Sequence, residues 1–182
     1  MAEIYQPSED SILLSKALEK KIPKLIRKDP NLTFLEIGPG SGIQLKTALE
    51  SGVKKENIFS ADLNQNAVKH CKSLGFNCIK SNLFENVKGL FDVIVFNPPY
   101  LPFDGKEPSS SRMATTGGKF GGELITKFLK GAKNHLEKNG RIFVLVSSMT
   151  KNTDFSGFKK KKVASEKLFF EELFVYELSI RK

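Results

Sequence analysis

The run Phe91-Asp92-Val93-Ile94-Val95-Phe96, halted at Asn97-Pro98-Pro99, restricts the fold more than any other stretch. It places apolar residues on both faces of an extended chain, so both faces must be covered, as in the interior of a parallel sheet. Proline has no N–H for a strand ladder, so the strand ends there. Thr33-Phe34-Leu35-Glu36-Ile37, stopped by Gly38, and Asn57-Ile58-Phe59-Ser60-Ala61 have the same character, and a short strand is expected at Asn77 to Lys80. Helical spacing fills the gaps: Ile43, Leu45, Ala48 and Leu49 run toward Gly52, and a second helix spans Asn66 to Leu74. A later helix, Glu123 to Lys138, leads through Gly140 into a strand from Arg141 to Ser147. Strands alternating with helices in this order predict an α/β, Rossmann-like architecture, mostly parallel, with helices on both faces.

The two ends depart from this rhythm. Ser8-Glu9-Asp10-Ser11 places a capping residue and two acids before Ile12-Leu13-Leu14, predicting a first helix to about Lys21, with Pro23 and Pro30 punctuating a basic connection. Phe155 to Phe158 can hold only a turn or two of helix before Lys159-Lys160-Lys161-Lys162, whose plain reading is a solvated charged loop. Val163 to Phe170 and Leu173 to Ile180 then suit a closing antiparallel pair, although Ala164 to Tyr176 also suits a helix. With so short a crossover, apolar surface should be exposed near Phe155 and Phe158.

At 182 residues, 40% hydrophobic and 27% charged, the chain suits one domain, 1–182. The net charge of +9 favours polyanionic surroundings such as nucleic acid or a ribosome, or reflects a lysine-rich solvated surface. Cys71 and Cys78, with His70 and His135, supply neither a disulfide framework nor a four-ligand zinc set, so no metal is expected and a reducing, cytoplasmic compartment fits. The first residues lack a basic segment followed by an apolar run, and no stretch approaches the ~20 apolar residues of a membrane span.

Chemistry concentrates at the expected strand ends. Glu36-Ile37-Gly38-Pro39-Gly40-Ser41-Gly42 joins a strand to a helix, where glycines admit a ligand to the backbone and amide N–H groups face outward. Asp62 follows the next strand and can accept the hydroxyl protons of a ribose, or could cap a helix from Asn64. Asn82 follows the third strand, where it could accept from an adenine amino group or be an ordinary turn residue. Asn97-Pro98-Pro99-Tyr100 is the most specific signal. The Asn97 side-chain carbonyl and the Pro98 main-chain carbonyl can accept both protons of a planar NH2 group while Tyr100 stacks on it. Two fixed acceptors also stabilise positive charge developing on that nitrogen.

These motifs in this order resemble a class I S-adenosylmethionine-dependent methyltransferase of the HemK-like glutamine methyltransferase family. Tyr5-Gln6-Pro7-Ser8-Glu9-Asp10-Ser11 resembles the opening of its archaeal and eukaryotic branch, and Gly117-Gly118 through Gly121 resembles its later glycine stretch. The resemblance implies a seven-stranded sheet with an antiparallel last strand and an N-terminal segment, 1–30, over the cofactor site. It implies S-adenosyl-L-methionine, leaving as S-adenosyl-L-homocysteine, bound along Ser11, Glu36, Gly38, Gly40, Asp62, Leu63, Asn82, Leu83 and Asn97. Asn97, Pro98 and Tyr100 would then be catalytic. The implied substrate is the glutamine of a Gly-Gly-Gln motif in a class I peptide release factor. The implied partner is a small zinc-binding activator subunit on the sheet edge near Asn77 to Lys80. Asn82 stands where the family usually has Asp, which keeps an acceptor and gives up its charge, a difference of about 1 kcal/mol. An adenine N6 methyltransferase remains open, because its target presents the same planar NH2. So does a non-catalytic cofactor-binding scaffold.

Overall fold

A computed structural model describes Ile4, residues 6–106 and residues 115–181. Tyr5 of the N-terminal motif, and Pro108 and Ser109-Ser110-Ser111 of the long loop, lie outside the described residues. The elements are α1 (Glu9–Ile26), β1 (Phe34–Ile37), α2 (Ile43–Glu50), β2 (Ile58–Asp62), α3 (Gln65–Ser73), β3 (Asn77–Lys80) and β4 (Phe91–Phe96). They continue with α4 (Glu123–Ala132), β5 (Leu136–Ser147), β6 (Phe158–Lys167) and β7 (Glu172–Ile180).

The seven strands lie in the order β3-β2-β1-β4-β5-β7-β6. The first five are parallel, and β7 is antiparallel to both β5 and β6. Two-residue periodicity divides the core. Phe34, Ile58, Val93, Val95, Phe143 and Leu145 face α1, α2 and α3. Leu35, Ile37, Ile94, Phe96, Ile142 and Val144 face α4, whose Ile125, Phe128, Leu129 and Ala132 are all buried. Helices on both faces are therefore observed, among the described residues three on one side and one on the other. Among the described residues, no helix is long and apolar enough to cross a membrane.

Several boundaries differ from expectation for identifiable reasons. Helix α1 continues through Pro23 to Ile26, because Ile22 is fully buried and Leu25 and Ile26 pack on the core beyond the proline. The Arg27 N–H bonds to the Pro23 carbonyl at 3.3 Å, so the last turn survives the lost donor. Helix α4 stops at Ala132, and β5 starts at Leu136 instead of Arg141, with a register irregularity against β4 between Phe91 and Val93. No helix forms at Phe155 to Phe158. The four lysines belong to β6, which pairs with β7 from Phe158↔Ile180 to Lys167↔Glu172.

That pairing also corrects the expected bare surface. Phe158 is buried. The Lys160 ammonium lies 4.5 Å from the ring centres of both Phe155 and Tyr176, and that of Lys162 lies 5.0 Å from Phe174. Lysine stems thus cover the aromatic shelf of β7 in place of a helix, keeping their charges in water. On the opposite face, Glu177 of β7 pairs with Lys21 of α1, and with Arg141 at 3.4 Å, holding α1 across the sheet.

Candidate active site

A cleft of about 220 Å³ opens at the carboxyl ends of β1, β2 and β4. Its walls include Gly38, Gly40, Asp62, Leu63, Asn82, Leu83, Asn97 and Pro98, together with Ile4 and Asp10 from the N-terminal segment. This is the crevice where an open α/β sheet binds ligands. Gly38 and Gly40 hold φ of +65° and +49°, which lets the β1–α2 turn run flush with the cleft floor. Gly42, at φ +77°, serves packing as well. A Cβ there would lie 3.3 Å from Leu74 and 3.6 Å from Cys71, so its bareness lets α3 pack against the turn.

Asp62 sits where the ribose-binding acid is expected. Its Oδ1 accepts the Asn64 N–H at 2.7 Å, and its Oδ2 accepts the Gly40 N–H at 3.2 Å. Asn64, whose side chain accepts from the Asn66 N–H at 2.9 Å, is the cap of α3, which leaves Asp62 to face the cleft. Burial raises the Asp62 pKa against the opposing pull of these N–H groups. Asn82 donates its amide to Glu85 at 2.7 Å, an arrangement that orients its side chain at the cleft wall. Leu83 beside it adopts φ +51°, a left-handed conformation that carries strain for a branched residue.

Three residues singled out from the sequence do not line the cleft. Glu36 is buried behind the turn with Oε2 unpartnered, and desolvation, reinforced by the Asp62 charge, drives its pKa well up. Tyr100 packs between the two halves of the core, and its carbonyl accepts the Thr150 hydroxyl at 2.9 Å. Ser11 lies behind Asn97. The Asn97 amide donates to Ser11 Oγ at 3.4 Å, and that hydroxyl donates to Asp10 Oδ1 at 3.0 Å. The Gln44 amide braces the Ser11 carbonyl at 2.9 Å, and its own oxygen accepts from Ser15 at 2.9 Å.

This Asp10–Ser11–Asn97 chain is the part of the site that sequence reasoning misses. Its signal is the acid pair opening α1, which in sequence looks only like a helix start. The consequence is specific: with its N–H turned toward Ser11, Asn97 keeps Oδ1 as an acceptor, buried and unpartnered among the described residues. A buried acceptor without a donor awaits one. His70 and His135 are elsewhere, His70 against the Ser41 carbonyl at 3.2 Å and His135 stacked on Phe84 at 5.0 Å.

The buried Glu36 carboxyl makes a testable pH signature. Its folded pKa exceeds its unfolded one, so its contribution is fully present at acid pH and is lost as pH rises through the folded value. Glu36→Gln keeps an acceptor for the Leu45 N–H and removes the ionisation. The variant should gain thermal stability over the natural chain progressively as pH rises above 4.5, the gain levelling off once Glu36 is ionised in the folded protein. Thermal melts from pH 4 to 9 would test this, and a constant gap would refute it.

A glycine-cradled crevice, an acid at the second strand and an unpartnered acceptor at the fourth fit S-adenosylmethionine and an NH2-bearing acceptor, and together they define a class I methyltransferase. The methyltransferase small domain family matches residues 11–170. A Methanocaldococcus jannaschii protein named as a putative protein N5-glutamine methyltransferase is 40% identical, over 95% of this chain and 90% of its own length. The eRF1 methyltransferase catalytic subunit mtq2 of Schizosaccharomyces pombe is 29% identical over 82% of this chain and 74% of its own. The solved E. cuniculi Mtq2–Trm112 complex, responsible for methylation of the eRF1 termination factor, matches at a TM-score of 0.72 and 24% identity, covering 100% of both chains. This chain belongs to the methyltransferase small domain family and, within it, to the HemK-like, S-adenosylmethionine-dependent protein glutamine methyltransferases.

Proposed function

We propose that the chain methylates the side-chain amide nitrogen of the glutamine in the Gly-Gly-Gln motif of a peptide chain release factor. The observation that carries this is Asn97 Oδ1, left without a hydrogen-bond donor among the described residues while its amide turns to Ser11. With the Pro98 carbonyl beside it, it receives the two N–H bonds of a glutamine amide and aims the nitrogen lone pair into the cleft. These acceptors bind more strongly as positive charge grows on nitrogen, so they favour the transition state over the bound substrate. Tyr100 supports this loop from within the core, and the amide proton leaves to water.

When bound, S-adenosylmethionine supplies the methyl group and departs as S-adenosylhomocysteine. Gly38 and Gly40 would hold its methionine portion by their backbone, Asp62 its ribose, and Leu63, Asn82 and Leu83 its adenine. Ser11 and Glu36 would act from behind, by orienting Asn97 and buttressing the turn, while residues 1–30 close the cleft through Ile4 and Asp10.

A small zinc-binding activator subunit would add a strand to β3. An apolar groove lined by Leu35, Phe59, Ile79, Val87 and Phe91 lies beside that edge, and Ile79 is exposed. The +9 charge suits work near the ribosome, in the cytoplasm.

The test supplies labelled donor to the protein, alone and with such a subunit, together with a release factor or with total RNA and DNA. Label on the factor, lost when the Gly-Gly-Gln glutamine is replaced, is the expected result. Label confined to nucleic acid would put adenine in its place.

A further inference from the structure

Leu168 and Glu171 close the β6–β7 hairpin through a 2.8 Å bond from the Leu168 N–H to the Glu171 carbonyl, and the tip is Phe169-Phe170. The backbone at this tip has no positive φ, so it does not demand a glycine, yet two large apolar side chains occupy it. These two are 95% and 89% exposed, stacked edge to face with ring centres 5.2 Å apart. Two large rings exposed together on a hairpin tip point to function.

The hairpin is tied to the acceptor loop. Glu171 accepts the Ser147 hydroxyl, and the Glu172 N–H donates to Ser148 Oγ at 3.0 Å. The Ser147 N–H donates to Thr150 Oγ1 at 3.1 Å, and that hydroxyl reaches the Tyr100 carbonyl at 2.9 Å. A continuous run of bonds therefore links the tip to the segment that begins at Asn97. Because β7 is antiparallel and Ser147 pairs with Leu173, the tip rises from the same end of the sheet as the cleft. Met149, Phe120, Lys119, Lys151 and Lys167 are exposed as well.

We propose that Phe169 and Phe170 form a docking finger for the folded protein that presents the glutamine. Both rings enter an apolar pocket of that protein. The inference rests on the function proposed above and adds the surface that selects an intact protein. Neither ring lines the cleft. They also lie across five strands from the β3 edge, so an activator strand added there does not cover them. Aromatic anchors of this kind concentrate binding energy at protein interfaces.

The test is the full-length double variant Phe169→Ser, Phe170→Ser, assayed on an intact release factor with its activator, with donor affinity measured in parallel. The KM for the factor should rise about tenfold to a hundredfold, with kcat and donor affinity within about twofold. Phe169→Leu with Phe170→Leu should restore most of the loss. An unchanged KM, or a fall in kcat at constant KM, overturns the finger and leaves the function standing. A natural chain that transfers no methyl to any release factor overturns both. Sedimentation showing a dimer that the double variant dissolves would assign the tip to a contact between copies and overturn the proposal.

Discussion

Replacing Asn97 with alanine should lower the rate of methyl transfer by about a thousandfold or more, while the affinity for S-adenosylmethionine stays within about twofold. The first figure follows from removing a preorganised acceptor at the reacting nitrogen, a loss of about 4 kcal/mol in the transition state, at roughly tenfold per 1.4 kcal/mol. The second follows from the contacts proposed for the donor, since Gly38, Gly40, Asp62 and Leu63 of the cleft wall are untouched. Isothermal titration with donor, next to single-turnover transfer to a release factor, separates the two quantities. Ser11→Ala makes an instructive companion: it leaves Asn97 in place and removes the hydroxyl that receives its N–H at 3.4 Å. A smaller loss, about tenfold, is expected from an acceptor free to rotate. Normal turnover by Asn97→Ala would remove the residue from the mechanism.

The second large effect should come from Gly121→Ala. Gly121 has φ +85°, and a Cβ there would lie 2.4 Å from the Tyr100 carbonyl oxygen. Both the conformation and the space exclude a side chain, and the obstacle is backbone that cannot rotate away. A destabilisation of about 2–4 kcal/mol is expected, lowering the melting temperature by roughly 5–15 °C. The surviving folded fraction should transfer methyl about a hundredfold more slowly, because the clash displaces the Asn97–Tyr100 loop from its working geometry. Gly117 has a related constraint: its Cβ would meet the Gly121 and Pro99 carbonyl oxygens at 2.3 and 2.5 Å. The glycine stretch is thus the bed on which the acceptor loop lies, secured by bonds of 2.9 and 3.0 Å between Leu101 and Thr115 and between Gly117 and Leu101. Differential scanning calorimetry with kinetics on the soluble fraction would test this, and an unaltered melt would refute it.

The alternation of strands and helices is legible in the sequence because the central strands are largely buried on both faces and so read as mostly apolar runs. The cleft residues are legible because the chemistry fixes their types: glycine for a positive φ, an acid for a ribose, an asparagine between fixed carbonyls. What escapes depends on distant partners. Pro23 looks like a helix end until Ile22, Leu25 and Ile26 find the core behind it. Lys159 to Lys162 look like a loop because their apolar counterparts, Phe174 and Tyr176, lie on another strand. Asp10 looks like an acid of a helix start and Ser11 enters only through the family resemblance, and the closure of α1 over the sheet is what brings them to Asn97. Exposed aromatic surface is expected near Phe155 and lies instead at Phe169 and Phe170, since local patterning does not reveal which ring a lysine stem will cover.

The two margins of the sheet differ in a way that governs assembly. At one, β3 offers a short ladder with Ile79 exposed beside an apolar groove. At the other, β6 offers four consecutive lysines and a register break between Lys162 and Ala164. A foreign strand can dock on the first, while the second repels it by charge and by irregular spacing of its hydrogen bonds. If a companion strand pairs at β3, growth by edge pairing should end after that one addition, which predicts one-to-one stoichiometry and no head-to-tail fibres.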